Sequence, residues 1–201
     1  MNKKFDQLLK KLSENGFIVN YFKSTIEVKK YLLDEISKED SVAIGGSMTI
    51  EELNIYKDLK DRNNNVYWHW KVEDKKAELE KARNAKVYLV STNALTLDGK
   101  LVNIDGTGNR VSSMIYGHER VYVVLGENKI CGDYNEAKKR IENIAAPKNA
   151  KRLNLNTPCS HTGKCNDCDS PDRICKVETI IHKNPSDTQI YICIVDEELG
   201  Y

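Results

Sequence analysis

Short apolar runs alternate with amphipathic stretches along most of this chain, and that alternation restricts the fold more than any other feature. Phe17–Tyr21, Ser41–Ile44, Val66–Trp70, Lys86–Val90, Arg120–Gly126, Glu178–Ile181 and Gln189–Val195 are rich in β-branched and aromatic residues and read as strands. Between them, Phe5, Leu8, Leu9 and Leu12 recur at helical spacing, with Gly16 placed to end the helix. Ser24-Thr25-Ile26-Glu27 has the spacing of a capping box and opens a helix running to about Ile36. Further helices are expected over Ile50–Lys60, Glu73–Ala85 and Tyr134–Ala145, the last ended by Ala146-Pro147. Strand-helix alternation of this kind predicts an α/β fold: a three-layer, mostly parallel sheet with helices on both faces and ligands at the carboxyl ends of the strands. At 201 residues, one domain over 1–201 is expected.

Two loops leave predicted strands with the chemistry of a ligand site. Gly45-Gly46-Ser47-Met48-Thr49 follows the second strand and enters a helix, where unpaired amides favour an anion. Thr49 and Glu52 also fit a capping box, so Ser47 and Thr49 have a purely structural reading as well. The loop lacks the Lys-Ser/Thr of a phosphate loop and the third glycine of a dinucleotide fingerprint, which disfavours nucleotide binding by those routes. The second loop lies behind Lys86–Val90. Ser91-Thr92-Asn93 leaves the strand, Asp98-Gly99 predicts a small hairpin, and Asp105-Gly106-Thr107-Gly108-Asn109-Arg110 brings amides, a carboxylate and a guanidinium together before a short helix to about Ile115.

These residues suggest a pocket for a small carboxylated or phosphorylated metabolite. Gly45, Gly46, Ser47, Thr49, Asn93, Gly106, Thr107, Gly108 and Lys129 are its candidate binding residues, and Asp105, Asn109 and Arg110 its candidate catalytic ones. Arg110 would hold the anion and Asp105 would move a proton; equally, Asp105 would only orient the Gly106–Gly108 loop, while Asp98 reads as a turn residue. His69, between two tryptophans, has a near-neutral reference pKa, but a histidine at a strand end is more often structural.

Four stretches taken together resemble the lactate-utilization (LUD) domain family: AIGGSMT at 43–49, STNALTLDGKLVNIDGTGNRV at 91–111, VVLGENKI at 123–130 and EELGY at 197–201. The resemblance implies a fold similar to the ribose-5-phosphate isomerase, acyl-CoA transferase and methenyltetrahydrofolate synthetase superfamily, and a link to the oxidation of L-lactate to pyruvate. In that superfamily an Asp-Gly segment lines the sugar-phosphate or acyl pocket, and Asp105-Gly106 is similar. The coenzyme-A-transferase nucleophile, a glutamate, has no clear counterpart, which counts against acyl transfer.

The last third changes character. Residues 157–176 form a loop rich in turn-formers, with Cys159, Cys165, Cys168 and Cys175 in the pattern C-x5-C-x2-C-x6-C. A stretch with so few apolar side chains cannot bury a core of its own, and thiolate coordination would hold it. The centre is expected to be a [4Fe-4S] cluster, with zinc as the alternative and disulfides or free thiols behind both; His161 is a possible substitute for one cysteine. Cys131 and Cys193 lie in strand-like contexts and read as buried hydrophobes.

Lys+Arg 31 against Asp+Glu 30 gives a net charge of +1, so net charge suggests neither nucleic-acid nor acidic-membrane binding. No apolar run approaches a membrane span, and Met1–Lys11 lacks the apolar core of a secretory signal, so a cytoplasmic protein is expected. Two functions remain open from the sequence. One is an enzyme of redox or small-acid chemistry, an oxidoreductase component acting on a small hydroxy acid. The other is a metal-binding accessory protein whose cysteine centre carries electrons to a redox partner or exerts a regulatory role. A homo-oligomer is compatible with either.

Overall fold

A computed structural model describes residues 3–201. In chain order the elements are α1 (Lys3–Glu14), β1 (Ile18–Phe22), α2 (Thr25–Glu35), β2 (Val42–Ile44), α3 (Met48–Leu53), α4 (Ile55–Asp61), β3 (Val66–Tyr67) and α5 (Lys75–Ala82). There follow β4 (Val87–Val90), β5 (Ala94–Thr96), β6 (Leu101–Asp105), α6 (Asn109–Ile115), β7 (Arg120–Gly126) and β8 (Ile130–Cys131). The last third holds α7 (Tyr134–Arg140), a π-helical turn (Ile141–Ala145), α8 (Ala146–Arg152), α9 (Pro158–Thr162), β9 (Val177–Ile181) and β10 (Gln189–Val195). Among the described residues, no helix is long and apolar enough to cross a membrane.

Six strands form one sheet in the order β1-β10-β7-β4-β2-β3, every neighbouring pair parallel. Its central strands are buried on both faces, and the two-residue alternation sends side chains to separate cores. Val87, Leu89, Tyr122 and Val124 face α2, α3 and α4, where Val28, Leu32, Ile50 and Leu59 are fully buried. Tyr88, Val90, Val121 and Val123 face the opposite way, against Leu8 and Leu12 of α1 and Met114 of α6. The α/β sheet with helices on both faces is therefore as the sequence predicts.

The hairpin forms as expected: Gly99 takes φ +79° in the turn, and Gly99 N–H bonds the Thr96 carbonyl at 2.8 Å. It does not extend the main sheet. β5 and β6 belong to a second, four-stranded sheet in the order β8-β5-β6-β9, in which β6 pairs antiparallel with both β5 and β9. Glu178–Ile181, read from the sequence as a strand of one mostly parallel sheet, lies in this second sheet as β9 instead. One face of this second sheet packs on the main core through Leu95, Leu101 and Ile181, and the other is covered by Ala137, Ile141 and Ala146.

Local signals explain most boundaries. Ser24 caps α2, its hydroxyl accepting from Glu27 N–H at 3.3 Å while the Glu27 carboxylate accepts from Lys23 N–H at 2.8 Å. The expected helix over Ile50–Lys60 is broken at Asn54, which takes the left-handed conformation at φ 49° and separates α3 from α4. Only Val66 and Tyr67 of the third run pair with β2, and the chain then turns through Trp68–Trp70.

Pro147 does not end its helix. Through the π turn, Ala146 N–H bonds the Ile141 carbonyl, five residues back. At that spacing the Glu142 carbonyl would wait for the N–H that Pro147 lacks; Cys165 N–H bonds it instead, at 3.0 Å. The proline thus leaves an acceptor that ties the cysteine loop to the helix.

Candidate functional site

The carboxyl ends of β7, β4, β2 and β3, adjacent in the sheet, open into one cleft of about 260 Å³. β2 delivers Gly46 and Ser47, the turn after β3 delivers His69 and Trp70, β4 delivers Ser91 and Asn93, and β7 leads to Lys129. The second sheet closes it with Asp105–Thr107, followed by Asn109 and Arg110 at the start of α6. Across the cleft, the π turn presents Ala145, and α8 presents Asn149 and Arg152.

Nine of the candidate residues line this space: Gly46, Ser47, Asn93, Asp105, Gly106, Thr107, Asn109, Arg110 and Lys129. Gly45, Thr49 and Gly108 stand behind it. A Cβ on Gly45 would lie 2.5 Å from the Tyr88 hydroxyl, so its role is to let β4 approach. Gly108 takes φ +86° at the start of α6. Ser47, not Thr49, caps α3, its hydroxyl accepting from Ile50 N–H at 3.3 Å. Thr49 is thereby free to hold Lys129.

Lys129 is 2 % exposed, and among the described residues its ammonium has only hydroxyl partners, Thr49 Oγ1 at 2.8 Å and Ser91 Oγ at 3.0 Å. Burial, and then the Arg140 and Arg110 guanidiniums, push its pKa down to about 7, with Glu52 pulling weakly the other way. A buried cation without a carboxylate partner is costly for a fold and informative about a cleft.

Arg110 is the opposite case. Nη1 donates to the Ser91 carbonyl at 3.1 Å and to Asn103 Oδ1 at 2.7 Å, and Nη2 donates to Asn93 Oδ1 at 3.1 Å and the Ile104 carbonyl at 2.8 Å. Nε lies 3.4 Å from Asp105 Oδ2. The terminal nitrogens make four hydrogen bonds to oxygen and Nε faces the Asp105 carboxylate, so Arg110 knots the two sheets together and lends the cleft its positive charge but no free fork. Asp105 is equally occupied: its Oδ1 accepts from Thr107 N–H at 3.0 Å and Gly108 N–H at 2.7 Å. It therefore does orient the glycine loop, the structural half of its expected role.

Several residues at the site carry no local signal in the sequence. Arg152 lies over the Trp70 ring, 4.5 Å from its centroid, and donates to Asn149 Oδ1 and the Tyr201 hydroxyl. Gly46 admits the Trp70 ring, which a Cβ would meet at 3.3 Å. Arg140 donates to the Asn128 and Asn93 carbonyls, holding the segment that carries Lys129 against β4. Its position three residues after Ala137, on the apolar side of α7, was the one available hint. His69 lines the cleft with its Nδ1 buried and without a partner among the described residues, and burial, followed by Lys75 and Arg152, lowers its pKa.

The four loop cysteines surround a second, smaller cavity of about 20 Å³, together with Thr157, Asn166, Arg173 and Ile174. Cys165 Sγ accepts from Asp167 N–H at 3.4 Å, and Arg173 ties the loop by donating to the Cys168 carbonyl at 2.7 Å and the Cys175 carbonyl at 2.9 Å. Burial and the neighbouring Cys165 and Cys159 sulfurs push the Cys175 thiol up to about 11. Crowded sulfurs of this kind are relieved by a cation among them. A single zinc at 2.3 Å from each sulfur would draw the sulfurs to about 3.8 Å apart. As placed, among the described residues, no three His, Cys, Asp or Glu side chains are set to hold one ion. His161 is exposed and stands away from this cavity, while Cys131 and Cys193 are buried in the cores as expected.

The two cavities share a wall. Ile174 and Cys175 line both. Lys176 N–H bonds the Asp105 carbonyl at 3.0 Å, and a Cβ on Gly106 would meet the Ile174 carbonyl at 3.1 Å, so a glycine there lets the cysteine loop lie directly on the cleft.

Comparison with known proteins agrees with this architecture. The structure is similar to the crystal structure of a DUF162 family protein from Deinococcus radiodurans, with a TM-score of 0.57, 12 % sequence identity and 96 % of each chain covered. No curated protein matches the chain by sequence. The model of the LUD domain matches residues 5–195, nearly the whole length, and the chain belongs to the LUD-domain family.

Proposed function

We propose that this LUD-domain protein is an iron-sulfur redox component that binds a small organic acid in the cleft beside its cysteine centre. The observation that carries this reading is the shared wall: Cys175 borders both the sulfur-lined cavity and a cleft whose lining includes Lys129, Arg110 and Arg152. Asp105 is the lining carboxylate, and it is already paired with Arg110, so the cleft favours an anion.

Cys159, Cys165, Cys168 and Cys175 would hold a [4Fe-4S] cluster, which supplies one-electron transfer when bound. The chain's own residues do the rest. Arg110 fixes Asn93, Asn103 and Asp105, and the turn after β6 offers Thr107 and Asn109 to a ligand. Proton handling falls to Lys129 and His69 rather than Asp105, whose oxygens are committed to the loop amides and Arg110.

Protein prepared without oxygen is expected to contain iron and acid-labile sulfide in equal amounts, with a broad visible absorption, and Cys168→Ser is expected to lose both. Stoichiometric zinc with no iron would overturn the redox reading and leave a structural metal centre.

A further inference from the structure

We infer that Lys129 is a nucleophilic amine that forms an imine with the carbonyl of a 2-oxo acid bound in the cleft. The inference rests on the reading of the cleft as an organic-acid site, though not on the identity of the sulfur centre.

The geometry supplies each requirement. The amine lines the cleft yet is almost wholly buried, which shields an imine from hydrolysis. Its partners are two hydroxyls, Thr49 and Ser91, which accept and return protons without holding the nitrogen as an ammonium. Thr49 Oγ1 in turn lies 3.4 Å from the Leu199 carbonyl. The charged groups facing Lys129 are Arg140 from α7, Arg110 from α6 and Glu52 from α3, and the two guanidiniums outweigh the one carboxylate. Desolvation beside other cations is a recognised way to make a lysine nucleophilic near neutral pH. With a pKa of about 7, it carries on the order of a thousand-fold more free amine at pH 7 than an ordinary lysine.

The ligand class follows from the rest of the lining. The positive charge of Arg110 and Arg152 calls for an anion, and the amine calls for a carbonyl. A 2-oxo acid is the smallest molecule that carries both. In the step itself the nitrogen lone pair adds to the keto carbon and the carbonyl oxygen takes up a proton. The resulting carbinolamine then loses water, so amine and ketone give imine and one water with no change of oxidation state.

The test is trapping with sodium cyanoborohydride and pyruvate on the full chain, followed by peptide mapping. Hydride addition to the imine carbon, with a proton from solvent on nitrogen, leaves a stable carboxyethyl group on the lysine. The adduct is expected at Lys129, at least about ten-fold above any other lysine at pH 7, where roughly half of it is free amine while an ordinary lysine is almost wholly protonated. It should be competed away by oxalate and be absent from Lys129→Met. Oxalate binding measured by calorimetry on the same protein separates the two readings. If oxalate binds and Lys129 stays unmodified, the imine is wrong and the cleft assignment survives. If neither oxalate binding nor an adduct is found, both fall.

Discussion

Lys129→Met is expected to make the protein more stable at neutral pH, by about 2–4 kcal/mol, while abolishing imine formation with a 2-oxo acid. The side chains are similar in length, so the core around Thr49 and Ser91 is not emptied, and the substitution removes a buried amine that has no carboxylate partner among the described residues. Its pKa falls from 10.5 unfolded to about 7 folded, so the unfolded chain binds this proton more tightly. The penalty is therefore fully present below about pH 7 and shrinks as pH rises toward 10.5. The stability gap between variant and wild type, read from urea midpoints, should narrow across that interval. A variant less stable than wild type at pH 7 would mean that Lys129 is a satisfied ammonium, and the reactive-amine account would go with it.

The other buried cation gives the opposite result. Arg110→Ala is expected to cost about 3–5 kcal/mol, the range for breaking a buried, fully engaged charged group. The loss leaves Asn93 Oδ1 and the Ser91 and Ile104 carbonyls short of a donor, and it removes the cation beside Asp105. Arg110→Lys should recover little, because one ammonium cannot span partners placed for a planar fork. A loss under about 1 kcal/mol in urea titration would show that Arg110 is a ligand-binding group and not the knot between the sheets.

The contrast between these two residues also shows where the sequence was legible. Buried β-branched runs and the Gly-Gly and Asp-Gly signals depend on neighbours within a few positions, and they located the main sheet, the hairpin and both loops of the cleft. The second sheet was not legible. A hairpin reads the same whichever sheet it joins, and β6 finds β9 only across the whole α7–α9 region. Lys129 was readable as a residue facing the pocket but not as a buried amine, which only the packing of Thr49, Ser91 and Arg140 around it makes it. Arg110 was readable as part of the site but not as saturated, since its partners come from β6 and the link between β4 and β5. The Cys165/Cys168 pair marked the cysteine loop, whereas the wall that loop shares with the cleft rests on Ile174 meeting Gly106, a contact with no local trace. Pro147 was misread because the π turn that accommodates it has no signature beyond the proline itself.

The shared wall can be addressed directly by electron paramagnetic resonance of the anaerobically prepared, dithionite-reduced protein, recorded with and without saturating oxalate. The account predicts an iron-sulfur signal whose g-values shift when oxalate enters the cleft. A cluster signal indifferent to bound oxalate, or a protein without any cluster, would contradict it.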